Sequence, residues 1–147
     1  MSFYYAIEGI CAAVKSEKNL RFHLVIANLI AVFAYFYGIT RVEWIALIMC
    51  ICGVIAAELF NTALERAVDT ATEDILPTAK LAKDAAAGAV LVLAVSSVLV
   101  GICLFGDFGK IRTTLIHIFS SAKILVPCII LGVADVLFLI FGGKNDK

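Results

Sequence analysis

The sequence predicts an all-α integral membrane helical bundle: an N-terminal amphipathic surface helix, three core transmembrane helices and a fourth at the C-terminal end. Three observations predict it. The 147 residues are 63% hydrophobic and only 16% charged, whereas soluble domains run nearer half apolar and a quarter charged. A water-soluble fold of this size could not hide that much apolar surface. Several stretches also approach or reach the ~20 apolar residues needed to cross a bilayer, and Lys and Arg are distributed unevenly between the links that join them.

Taken in order, residues 3–18 are short and mixed, with Phe3, Ile7, Ile10 and Val14 at helical spacing. That pattern predicts an interfacial amphipathic helix. It lacks the basic start of a cleaved signal, and Glu8 interrupts its apolar run, so removal of this segment is not expected. Residues 22–40 contain no Asp, Glu, Lys or Arg and form the first span. From Trp44 the uncharged run stops at Ala57, too short to cross ~30 Å at 1.5 Å per residue. A second span must therefore carry Glu58 and Asn61 into the hydrocarbon. Pro77 breaks the chain before the third span, residues 85–106. Ile111, Leu115, Ile118 and Phe119 mark a second interfacial segment. Residues 124–143 form the fourth span, apolar except for Asp135, an intramembrane carboxylate with no evident partner and so a functional candidate by default.

With four spans, one side carries Lys15, Lys18, Arg21, Arg66, Lys80, Lys83, Lys144 and Lys147, and the other Arg41, Lys110, Arg112 and Lys123. Eight against four predicts that both termini and the link between the second and third spans face the cytoplasm. The formal net charge is zero, so no basic field exists to attract nucleic acid. The five cysteines form no CxxC pair and have no His at zinc-ligand spacing. They are expected to be small apolar fillers.

Chemistry concentrates at Glu58, Asn61, Glu65 and Asp69. Offsets of three, seven and eleven place them within about 80° of arc on one helix face, with Thr62 and Arg66 off it. Glu65 lies roughly 10 Å and Asp69 roughly 16 Å beyond Glu58 along the axis. Glu58 is thus expected inside the membrane boundary, Glu65 near it and Asp69 in water. A buried carboxylate must be paired, protonated or open to a wet cleft. A second cluster holds Lys80, Lys83 and Asp84, and a third Lys15, Glu17, Lys18 and Arg21. The three together offer oxygen ligands for a divalent cation and cations for phosphate oxygens, the combination phosphoryl transfer requires. Helix–helix glue and a cation path through an oligomer remain rival readings of the stripe.

Other motifs carry less. Asp107-Phe108-Gly109 matches the DFG of soluble kinases, but no HRD loop or glycine-rich loop accompanies it. No phosphate-binding GxxxxGK[ST] loop is present. His23 and His117 are expected to be surface or interface residues.

The run from Ala57 to Asp69, AELFNTALERAVD, followed by AKLAKDAAAGAV from Ala79 to Val90, resembles the small prokaryotic diacylglycerol kinases, a family that includes undecaprenol kinases. The resemblance covers residues 3–106, so residues 1–106 are expected to be the kinase core and 107–147 an extension. It implies ATP-dependent phosphorylation of a membrane lipid alcohol with Mg²⁺. It also implies a homotrimer in a bacterial plasma membrane, with sites facing the cytoplasm and shared between subunits. By the same resemblance, Glu58 matches the catalytic base, and Glu17 and Glu65 the magnesium ligands. Lys83 matches the phosphate-binding lysine, Asp69, Asp84 and Tyr5 nucleotide-site residues, and Asn61 a residue positioning the lipid or the base. Glu8 before Gly9 departs from the family pattern. Arg21-Phe22-His23 and Arg41-Val42-Glu43-Trp44 are closer to the undecaprenol branch than to the diacylglycerol branch.

Overall fold

The computed structural model describes residues 2–71 and 76–143. Six helices follow one another: α1 (Ser2–Ser16), α2 (Lys18–Tyr37), α3 (Arg41–Ala71), α4 (Pro77–Phe105), α5 (Phe108–Ser120) and α6 (Ala122–Phe141). Among the described residues there are no strands, and α2, α3, α4 and α6 are long and apolar enough to cross a membrane. The all-α membrane bundle is thus the observed fold. Lys144 and Lys147, used in the topology count, lie outside the described residues.

The helices run past the apolar stretches that announced them. α3 has 31 residues, about 46 Å at 1.5 Å per residue, well beyond a ~30 Å hydrocarbon core. Hydropathy marks only the part of a helix that lipid covers. A helix satisfies its own backbone in either solvent, and the good helix formers Ala63, Leu64, Glu65, Arg66 and Ala67 carry α3 onward into water. Measured from Arg41, Glu58 stands about 26 Å along the axis, near the far boundary of the hydrocarbon.

Local chemistry fixes the ends. Gly38 closes α2 with φ 70° and donates its N–H to Ala34 O at 3.0 Å, a left-handed cap that suits glycine. Thr40 and Glu43 then open α3 as a reciprocal capping box: Thr40 N–H donates to Glu43 Oε2 at 2.6 Å and Glu43 N–H to Thr40 Oγ1 at 3.4 Å. Pro77 begins α4, where its missing N–H costs nothing. Asp107 caps α5 by accepting from Lys110 N–H at 3.0 Å. The DFG-like tripeptide is therefore a helix start.

α3 and α4 form the most extensive helix pair, and α2 packs on α3, α5 and α6. The core sits at the α2–α3 turn, where Ala34, Tyr37, Ile39 and Leu47 are buried beneath Phe33, Trp44 and Phe105. The Phe33, Tyr37 and Phe105 rings meet at 5.2–5.7 Å between centroids, and Lys110 Nζ lies 4.2 Å over the Tyr37 ring. α4 and α6 contain no fully buried residue. Within α4 the Ser96 and Ser97 hydroxyls are satisfied locally, donating to Val92 O and Leu93 O, each at 2.8 Å.

Asp135 proves to have a partner. Asn28 Nδ2 donates to both its oxygens, at 3.0 and 2.8 Å, tying α6 to α2. Sequence alone could not pair two residues 107 positions apart. At the end of α6, a Cβ added to Gly143 would stand 2.9 Å from both terminal nitrogens of Arg21, so the chain closes directly on that side chain.

Candidate functional site

The site is assembled where the N-terminal end of α2 meets the C-terminal half of α3. Glu58 is 4% exposed and lies on the buried ridge of α3 with Leu47, Val54 and Thr62. Thr62, expected off the stripe, is 3% exposed. Its 40° displacement from Glu58 is less than the width of the face that α2 covers. Burying Glu58 demands a partner, and α2 supplies one: His23 Nε2 lies 3.2 Å from Glu58 Oε1. His23 was expected to be a surface or interface residue. The signal for its role was a titratable side chain in the first turn of an otherwise uncharged span, on the side where Glu58 enters.

Besides His23, the charges of Glu17 and Glu65 act on Glu58. Glu17 occupies the break between α1 and α2, which turns the chain and brings this carboxylate from a different element. Ser16 Oγ donates to Glu17 Oε1 at 2.9 Å and accepts from Arg66 at 2.6 Å. Arg66, off the stripe, thereby fastens the α1–α2 junction to α3. Neither Ser16 nor Arg66 could be assigned this part from helical spacing, because the contact joins different helices. Arg21 has a structural task too. It is buried and donates to Val14 O at 2.8 Å and Lys15 O at 2.7 Å, closing the carbonyl end of α1. Its guanidinium, grouped with possible phosphate ligands, is tied to the helix end through Nη1.

Asn61 and Glu65 are linked one turn apart, Asn61 Nδ2 donating to Glu65 Oε1 at 2.8 Å. The Asn61 carbonyl oxygen is buried with no hydrogen-bond partner among the described residues. Further out, Lys83 of α4 forms an ion pair with Asp69 of α3, so two residues singled out from separate clusters meet. Asp84 is exposed beside them, and Tyr5 is exposed on α1, its ring edge-on to Tyr4 at 5.7 Å. Neither holds a hydrogen bond or ion pair among the described residues.

Glu65 and the unsatisfied amide oxygen of the adjoining Asn61 are oxygen donors of the kind a hard divalent cation takes. No group of three or more His, Cys, Asp or Glu side chains able to hold a metal exists among the described residues. Mg²⁺ does not need one, since it is held by one or two carboxylates with water and substrate phosphates. An apolar groove of about 790 Å³ runs between α2, α3 and α4. His23 lies at its inner end and Phe105 and Phe108 at its outer end.

The sequence profile of the prokaryotic diacylglycerol kinases matches residues 4–105. An undecaprenol kinase of Bacillus subtilis (strain 168) is 39% identical over 104 residues, which are 71% of this chain and 85% of the relative. A diacylglycerol kinase of Synechocystis sp. is 38% identical over 105 residues, 71% of this chain but 60% of the relative's length. One from Haemophilus influenzae is 29% identical over 102 residues, 69% of this chain and 80% of the relative. No solved structure gives a match. These similarities favour a kinase over a channel or an assembly module as the reading of the acidic stripe. The chain belongs to the prokaryotic diacylglycerol kinase family, and it is a membrane lipid kinase.

Proposed function

We propose that this kinase transfers the γ-phosphoryl group of ATP to undecaprenol at the cytoplasmic boundary of the membrane, with Glu58 as general base. The observation that carries the reading is the buried Glu58, with His23 at 3.2 Å and within reach of the charges of Glu17 and Glu65. Glu58 Oε2 would take the hydroxyl proton as the alcohol oxygen attacks the γ-phosphorus and ADP leaves. A general base in position contributes typically ~10²–10⁴-fold. The lipid hydroxyl would lie at the depth of Glu58, steadied by Asn61, with its chain in the hydrocarbon.

Glu17 and Glu65 would hold Mg²⁺, with the unpartnered oxygen of Asn61 on the side chain bonded to Glu65. Bound there with ATP, the ion would neutralise charge on the phosphates. Lys83 would serve the same phosphates, released from Asp69 as they enter. Asp69, Asp84 and Tyr5 would border the nucleotide. Positioning and charge stabilisation supply most of the catalysis in such a reaction. Residues 1–106 would then be the catalytic core and 107–147 an added hairpin. The Lys and Arg distribution supports a cytoplasmic site, and the family pattern supports a trimer with sites shared between copies.

Undecaprenol is favoured because the 39% relative carrying that name is matched over 85% of its length. The motifs at Arg21-Phe22-His23 and Arg41-Val42-Glu43-Trp44 point the same way. The Synechocystis relative at 38% makes diacylglycerol the alternative. A phosphorylation assay in mixed micelles, with undecaprenol and diacylglycerol supplied separately, decides between them. Higher kcat/KM on diacylglycerol would reverse the assignment. In the same assay Glu58→Gln is expected to assemble normally and lose roughly 10²–10⁴-fold in kcat. Full activity would remove Glu58 from the base role.

A further inference from the structure

We infer that His23 is a positioning residue for the phosphoryl-transfer step. It fixes one oxygen of Glu58 so that the other is presented to the lipid hydroxyl at the His23 end of the apolar groove. The inference rests on the proposed base role of Glu58 and adds a residue that the acidic stripe does not contain. Three observations carry it. Nε2 of His23 lies 3.2 Å from Oε1 of Glu58, with side chains 25% and 5% exposed, so the contact is largely shielded from water. Glu58 has no other ion-pair partner and no side-chain hydrogen bond among the described residues. And His23 also lines the inner end of the groove between α2, α3 and α4, so one imidazole touches both the carboxylate and the space open to a lipid chain.

Geometry assigns the task. A glutamate has three rotatable side-chain bonds, and an unanchored carboxylate would sample several positions. The contact of Nε2 with Oε1 leaves Oε2 as the accepting oxygen and holds the carboxylate on the side facing α2. Glu17 and Glu65, the other charges acting on Glu58, repel its carboxylate and supply no anchor. Errors of about 1 Å in placing a catalytic group can cost ~10²-fold. Losing the anchor should therefore lower kcat rather than weaken nucleotide binding.

The test uses isosteric donors. Glutamine places an amide nitrogen the same number of bonds from Cα as Nε2 of histidine, whereas asparagine falls one bond short. In the full chain in mixed micelles, with ATP and undecaprenol and with diacylglycerol in parallel, His23→Ala is expected to lower kcat roughly 10- to 100-fold. The KM for ATP should stay within about twofold. His23→Gln is expected to recover most of kcat, and His23→Asn little of it. Should His23→Ala fail to assemble, the Gln and Asn variants carry the comparison alone. Equal activity of the Gln and Asn variants overturns the inference, as does a wild-type kcat in His23→Ala. If Glu58→Gln is inactive while His23→Ala is fully active, only the role of His23 falls. If Glu58→Gln is itself active, the base assignment falls first.

Discussion

Single side chains in this protein acquire their roles from who stands opposite them. Lys83 is half-buried and engaged with Asp69 across the α3–α4 link, a pair that holds the ammonium where the nucleotide phosphates are proposed to bind. The pair is too exposed to stabilise the fold appreciably. Lys83→Met is therefore expected to leave the unfolding transition unchanged while lowering kcat/KM for ATP roughly 10²–10³-fold, the range for removing one stabilising donor. A steady-state titration of ATP checks the first effect and a denaturation curve the second. Activity close to wild type would detach Lys83 from phosphate binding. Arg21 gives the contrasting case. Its Nη1 donates to the carbonyls of Val14 and Lys15, so it orders the chain just before Glu17.

At the scale of elements, α6 depends on a polar contact. Between helices in lipid, apolar side chains gain nothing by leaving the hydrocarbon, so packing and hydrogen bonds decide association. The bonds from Asn28 to Asp135 are the side-chain hydrogen bonds that join α2 to α6 among the described residues. Asp135→Leu should cost about 1 kcal/mol. Asn28→Leu should cost more, because it strands a carboxylate in the membrane, and the double leucine variant should return to about the level of Asp135→Leu. Unfolding in mixed micelles by graded SDS measures the order. A double variant less stable than Asn28→Leu alone would show that the pair does not couple the helices. The exchange Asn28→Asp with Asp135→Asn should restore the wild-type value.

At the scale of the whole molecule, much apolar surface is left without a protein partner. Phe3, Tyr4 and Tyr5 on α1 are exposed, as are Val92, Val98 and Ile102 on α4 and Ile130 and Val133 on α6. Lipid or further copies of the chain must cover these faces. The proposed trimer predicts that native mass spectrometry from a mild detergent returns three chains and that mixing Glu58→Gln with Lys83→Met subunits restores activity if sites are shared. A fully active monomer would remove both statements.

The sequence by itself determined the helical class, the spans and the acidic stripe, because each rests on short-range rules: hydropathy over ~20 residues, a 3.6-residue period, and capping residues at helix ends. A long family motif at Ala57–Asp69 added the kinase assignment. Only the tertiary structure decided that His23 meets Glu58, that Ser16 and Arg66 fasten the turn bearing Glu17, and that Asp135 is paired with Asn28. Those contacts join residues on different helices. Their partners are chosen by how the helices cross, and no local pattern encodes that crossing.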